Sequence, residues 1–203
     1  HCRTYEARMK KDLHYDHGGQ QKLQRMVATI KKRGKDKDYD CIIGVSGGVD
    51  STYAALQVKK LGLRPLAVHL DNGWDSELAV SNIEKVLKKL GIDLFTYVID
   101  WEEFRDLHLA FLRSSVANSE IPTDHAITAI LYRVADEKGI QYIFSGGNLV
   151  TEATMPDSWM YDARDLKHLE AIHKKFGKVP LRTFPTLGLF RAAYYIFIKG
   201  IKW

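Results

Sequence analysis

With 203 residues and 23.2 kDa, 45% of them hydrophobic and 27% charged, the chain has the size of about one domain and enough apolar side chains to bury a core. Two cysteines exclude a disulfide-stapled secreted scaffold, and no apolar run approaches the ~20 residues of a bilayer span. The net charge of +5 resides in residues 1–40, which hold 11 Lys/Arg against 6 Asp/Glu, whereas residues 41–203 balance at 19 of each. The chain opens on His1 rather than Met and shows no signal peptide, so the reading is a cytoplasmic fragment that lacks at least its first residues.

Residues 1–40 read as a basic segment, helical around 20–33, that leads into the first strand. Its cations concentrate at Lys31, Lys32, Arg33, Lys35 and Lys37. A nucleic-acid arm is one meaning of such a run. Interruption by Asp36, Asp38 and Asp40, without interleaved aromatics, favours a solvated linker and makes nucleic acid an unexpected partner.

A second segment, 41–203, alternates short apolar runs with amphipathic stretches. Cys41–Val45, Leu66–Leu70, Leu94–Ile99 and Gln141–Phe144 are apolar nearly throughout, which suits strands of a parallel sheet covered on both faces. Helices are expected over 51–61, 76–90 (ended by Gly91) and 102–113, and from about Pro122 to Gly139. This alternation predicts an α/β fold with an open, doubly wound parallel sheet, whose ligands bind beyond the carboxyl ends of the strands. Residues 148–164 lack periodicity and read as a loop over a site; 187–203 are apolar and aromatic, and a C-terminal continuation is expected.

Ser46-Gly47-Gly48-Val49-Asp50-Ser51 follows Val45, between the first strand and the first core helix. Two glycines permit a sharp turn and close approach of a phosphate, and the helix start aims N–H groups and the positive end of its dipole at the same point. Ser46 and Ser51 offer hydroxyls. A carboxylate at Asp50 repels phosphates unless it holds Mg²⁺ between itself and them. Neither a G-x-x-x-x-G-K-[ST] loop nor a G-x-G-x-x-G fingerprint occurs.

The hexamer resembles the S-G-G-x-D-S loop of the PP-loop (N-type) ATP pyrophosphatases, which include GMP, NAD and asparagine synthetases and tRNA-thiolating enzymes. That resemblance implies a Rossmann-like sheet, binding of ATP with Mg²⁺, and release of AMP and pyrophosphate. It implies nucleotide contacts at Val45 through Ser51, with Asp50 and Ser51 as catalytic residues. Leu70 and Asp71, before Asn72-Gly73, then lie by adenine and ribose; Asp-Asn-Gly is equally a strand-ending turn, and His69 reads as packing. Gly146 and Asn148, in Ser145-Gly146-Gly147-Asn148, resemble the glycine-rich turn of NAD synthetase, which makes Glu152 a second Mg²⁺ ligand or else a helix cap.

Over nearly the whole chain the layout is similar to the N-acetyl sugar amidotransferases of surface-polysaccharide (lipopolysaccharide O-antigen type) biosynthesis. The similarity rests on Cys2-Arg3, the basic helix, Tyr39-Asp40-Cys41-Ile42-Ile43 and Ser51-Thr52-Tyr53. It implies adenylation of an acetamido oxygen on a nucleotide-linked sugar, displacement of AMP by ammonia, and a separate glutaminase subunit as ammonia source. Zinc held by Cys2 with upstream cysteines is implied for a longer chain, and an unpaired Cys2 is the plainer reading here. Trp159, Tyr161 and Arg164, with Asp162, Lys174, Lys175 and Arg182, are weaker candidates for sugar, base or diphosphate contacts; singly each reads as an ordinary loop or surface residue. His168 and His173 read as surface or packing residues. A tRNA-modifying relative of the thiolase or lysidine type is the competing enzyme, and a non-catalytic ATP sensor the competing class. The oligomeric state is not legible.

Overall fold

The computed structural model describes residues 2–148 and 161–203. In chain order the elements are α1 (Cys2–Asp12), α2 (His17–Gly34), β1 (Cys41–Gly44), α3 (Val49–Lys60), β2 (Pro65–Asp71), α4 (Glu77–Leu90), β3 (Asp93–Val98), α5 (Trp101–Ser114), α6 (Ile121–Glu137), β4 (Ile143–Phe144), α7 (Leu166–Phe176) and α8 (Leu189–Ala193), the last running into a π-helical turn (Tyr194–Ile198). None of the described helices is long and apolar enough to cross a membrane.

The four strands form one parallel sheet in the order β3-β2-β1-β4. Period-2 alternation sends β1 and β2 side chains to two cores. Ile42, Leu66 and Val68 pack against α6, while Cys41, Ile43 and Ala67 pack with Ala55 and Val58 of α3 and with Ile83 and Leu87 of α4. Both faces are therefore covered, as a doubly wound sheet requires. α2 lies on the α3–α4 face, where Val27 and Ile30 enter the same cluster as Ile43. A buried Asp40 secures this corner by accepting from Nε, Nη2 and the backbone N–H of Arg64, whose Nη2 also donates to the Gly34 carbonyl. The basic run is partly engaged as well, with Arg33 donating to Gln141 and Lys37 to the Gly139 carbonyl.

β3 departs from the expectation of burial on both faces. It is the sheet's edge, and Leu94, Thr96 and Val98 are exposed while Phe95 and Tyr97 turn toward the core. Strand order decides which apolar run becomes an edge, and local composition carries no record of that order. Cys41 illustrates the opposite extreme. It is fully buried in β1, and burial, reinforced by Asp40, pushes its thiol up to about 12.

Residues 177–188 run without regular structure yet are pinned at three points. Buried Asp106 of α5 accepts from the N–H groups of Lys178 and Val179, and buried Glu103 accepts from those of Thr183 and Phe184. On α6, buried His125 donates from Nδ1 to the Ala163 carbonyl and accepts at Nε2 from the Leu187 N–H. That pattern requires neutral imidazole, and burial lowers the His125 pKa accordingly. Below about pH 6.5 the unfolded chain then takes up a proton that the folded chain resists, so stability falls as pH drops through that range. Urea midpoints at about pH 7.5 and about pH 5.5 should differ less in His125→Gln, whose amide can serve both partners, than in the wild type. An unchanged difference would remove His125 from the account.

Candidate functional site

β1 has β2 on one side and β4 on the other, so the strand order reverses at β1/β4, and ligand crevices of open α/β sheets form at such points. A cavity of about 430 Å³ occupies this place, within the usual range for small-molecule sites. Its walls are the loop after β1 (Val45, Ser46, Gly48) with the first turn of α3 (Val49, Asp50, Ser51), the loop after β4 (Ser145, Gly146, Gly147), Val68 and Leu70 of β2, and the α6 face carrying Asp124, Ile127, Ile130 and Leu131. Trp203 completes the lining, held there by pairing of Tyr142 with Lys202 on the outer side of β4.

Asp16, Ser76, Asp100 and Asp165 cap α2, α4, α5 and α7 with side-chain oxygens, whereas α3, like α6 and α8, has no side-chain cap, its N-cap residue being Gly48. The first amides of α3 therefore face the crevice with the positive end of the helix dipole behind them. Gly47, at φ +76°, supplies the turn; a Cβ there would lie 2.6 Å from the Ala79 carbonyl oxygen. A Cβ on Gly48 meets only Ser46 Oγ at 3.5 Å. The fold thus demands glycine at 47 and not at 48. Gly48→Ala should keep its thermal midpoint within about 2–3 °C of wild type while weakening ATP binding, read by titration calorimetry. Unchanged affinity would mean that no phosphate passes over Gly48.

Ser51 is buried and its hydroxyl serves the loop itself, donating to the Gly48 carbonyl and accepting from the Ser46 N–H, both at 3.2 Å. Ser46 is exposed, with Oγ 3.2 Å from Ser51 Oγ, so it is the hydroxyl nearer to solvent. Asp50 is exposed at the mouth of the crevice and accepts from Asn148 Nδ2 at 3.3 Å, which joins the β1 and β4 loops. Gly146 sets their spacing: a Cβ on it would lie 2.7 Å from Ser51 N and Cα. No described lining residue is Lys or Arg, and the two charged ones, Asp50 and Asp124, are carboxylates.

Leu70 lines the cavity, whereas Asp71 does not. Asp71 Oδ1 accepts from the Gly73 N–H in a turn that brings Gly73 (φ +79°) onto the Trp101 ring. His69 is a packing residue that bonds the Val45 carbonyl through Nδ1 and places Nε2 3.4 Å from Asp75. Arg164 is occupied by a bidentate pair with Asp162 at 2.9 and 3.0 Å, and that pair holds the Asp162 carboxyl below its ordinary pKa. Tyr161 donates to Asp165 and lies against His168, with ring centroids 3.9 Å apart. Glu152 and Trp159 lie outside the described residues, as do the side-chain contacts of Cys2. Among the described residues no group of three His, Cys, Asp or Glu is placed to hold a metal, so nothing supports zinc.

Asp124 and Trp203 are lining residues that sequence reading did not select. Asp124 reads there only as part of a helix opening, and no motif marks Trp203.

No family model matches the chain. It is 41% identical over 83 residues to a glutamine-hydrolyzing GMP synthase of Pyrobaculum aerophilum, a stretch amounting to 40% of this chain and 16% of that enzyme. It is 32% identical over 114 residues to a tRNA(Ile)-lysidine synthase of Thermus thermophilus, 55% of this chain and 21% of that one. The chain thus spans about a fifth or less of the length of these relatives. Among solved structures, an NH3-dependent NAD synthetase of Campylobacter jejuni matches with a TM-score of 0.47 and 16% identity over 76% of this chain and 72% of that chain. The sequence likenesses, taken with a glycine-rich loop between β1 and α3 of a parallel sheet, support the PP-loop ATP pyrophosphatase superfamily and no narrower family within it.

Proposed function

We propose that the protein is an ATP-dependent, AMP-forming amidotransferase acting on the acetamido group of a nucleotide-linked N-acetyl sugar. The observation that carries the nucleotide chemistry is the composition of the crevice: an uncapped helix start beside two carboxylates, with no Lys or Arg among its described lining residues. A bare polyphosphate meets net repulsion in such a place, whereas a magnesium–nucleotide complex does not. Asp50 fits the octahedral, water-rich habit of Mg²⁺, which needs one or two protein carboxylates; Glu152 is the second candidate. When bound, Mg²⁺ supplies neutralisation of charge on the phosphate oxygens.

The acetamido oxygen attacks the α-phosphorus of ATP, and the bond from that phosphorus to the α–β bridging oxygen breaks, its electron pair leaving with pyrophosphate. Amides at the start of α3 face that leaving group and stabilise its developing charge. Gly48 leaves open space for it, and Ile127, Ile130, Leu131 and Leu70 give the nucleotide base an apolar wall. Ammonia then adds to the activated carbon, AMP departs with the former acetamido oxygen, and loss of a proton leaves an acetamidino group. The chain's residues act by alignment as much as by charge.

Amidation is favoured over sulfur transfer because Cys41 is buried at the amino end of β1 with a raised thiol pKa. The GMP synthase relative is a glutamine-hydrolyzing enzyme, which supports ammonia as co-substrate, and a separate glutaminase subunit is its proposed source. Pyrophosphate release should be measured with ATP, ammonium and a panel of nucleotide-linked N-acetyl sugars. Formation of AMP with one acceptor is the expected result, and ADP with orthophosphate would sink the proposal.

The likeness to a lysidine synthase supports a second reading, tRNA modification. Salt-dependent retention of tRNA, with pyrophosphate release only in its presence, would favour that reading. Engagement of Arg33 and Lys37 with the protein's own groups weighs against a basic arm.

A further inference from the structure

A second cavity, of about 140 Å³, lies away from the crevice, on another side of α6. Its lining includes Arg133 of α6, Thr183 and Thr186 of the pinned coil, Arg191 of α8 and Tyr195. The α6 residues facing the crevice are Asp124, Ile127, Ile130 and Leu131, so the two spaces share a helix and no lining residue.

Its walls are set before any ligand arrives. The Arg133 guanidinium lies over the Tyr97 ring, 4.7 Å from the centroid, and the Tyr97 hydroxyl donates to the Thr183 carbonyl at 3.2 Å. Glu103 holds the Thr183 and Phe184 amides, and Tyr195 stacks on Tyr132 with centroids 5.8 Å apart and planes 6° from parallel. Arg133 Nε is buried without a hydrogen-bond partner, its nearest carboxylate oxygen being that of Glu137 at 3.6 Å. Arg191 makes no ion pair with any described residue. The cavity lining thus gathers two arginines and three hydroxyl-bearing side chains with no carboxylate among them. The nearby carboxylates are Glu103, engaged with the Thr183 and Phe184 amides, and Glu137 and Asp136, close to Arg133 and Tyr195.

We propose that this cavity is an oxyanion site for a phosphoryl group. Two guanidinium forks match the charge and oxygen geometry of a phosphate dianion. Hydroxyls of Thr183, Thr186 and Tyr195 are suited to the remaining oxygens, which a planar carboxylate lacks. The volume equals about five waters at ~30 Å³ each, room for a tetrahedral anion with some hydration. The site does not depend on the reaction proposed for the crevice.

Inorganic phosphate is the probe, titrated into ¹⁵N-labelled protein at constant ionic strength, with sodium acetate in a parallel series. The amides of Thr183, Thr186 and Arg191 should shift saturably with phosphate and not with acetate. Ser46–Ser51 amides report the crevice separately. Arg191→Gln, at an exposed position, should weaken the response at Thr183 and Thr186 at least about tenfold and leave that of the loop amides unchanged. Arg133→Lys, which keeps the charge and loses the fork, should weaken it too. Immobile amides, equal shifts with acetate, or an undiminished response in both variants would overturn the proposal.

Discussion

Asp50→Ala should reduce AMP-forming turnover about a thousandfold or more while the protein keeps its fold. The size of the loss follows from the crevice having two carboxylates and no cation among its described walls. On the proposed reading Asp50 holds Mg²⁺, so its removal takes away charge neutralisation where pyrophosphate would depart, an effect of the order seen for deleting one strong electrostatic contact, ~10²–10³ or greater. The folding cost is small because Asp50 is exposed. It gives up a favourable place in the first turn of α3, worth about 0.3–1 kcal/mol, and one 3.3 Å contact with Asn148. Asp50→Asn separates charge from shape, since its amide oxygen can still accept from Asn148. Both variants should be inactive with near-native denaturation midpoints. Full activity in Asp50→Asn would show that the carboxylate charge has no part in turnover.

Gly146→Ala is expected to cost stability and nucleotide affinity together. The added carbon would sit 2.7 Å from both Ser51 N and Ser51 Cα and 3.1 Å from the Asp50 carbonyl carbon, all backbone atoms that no rotamer change can clear. Either the β4 loop or the first turn of α3 must retreat, at about 1–3 kcal/mol by the usual cost of overpacking. For a chain of this size that is a fall of roughly 3–10 °C in thermal midpoint. Nucleotide affinity should fall with it, because the displaced atoms are those proposed to face the phosphates. Gly48→Ala makes the informative contrast, perturbing binding without the stability loss. A Gly146→Ala protein with native stability and affinity would show that the two loops are not in fixed register.

The parts of the fold that sequence reveals are those with local causes. Ser76 and Gly91 delimit α4 as expected, the four apolar runs become the four strands, and the Ser46–Ser51 hexamer runs from the end of β1 into the first turn of α3. What stayed hidden depends on partners far along the chain. Glu103 and Asp106 look like the solvent side of an amphipathic helix, yet both are buried because backbone amides some 70–80 residues later need acceptors. The π-helical turn at Tyr194–Ile198 has no periodic signature. In the site, Gly47 and Gly48 look alike in sequence, and the positive φ of Gly47 with Ala79 across the loop separates a glycine the backbone demands from one the ligand would.

The sealed thiol in the central strand has a practical consequence. Cys41 is shielded from solvent and resists ionisation, so an alkylating reagent can reach it only when the sheet itself opens. Pulse labelling followed by mass analysis of the Cys41 peptide would therefore time global opening from inside the molecule, without an engineered reporter. Comparing those clocks with and without nucleotide would measure how far an occupied crevice braces the strands beneath it.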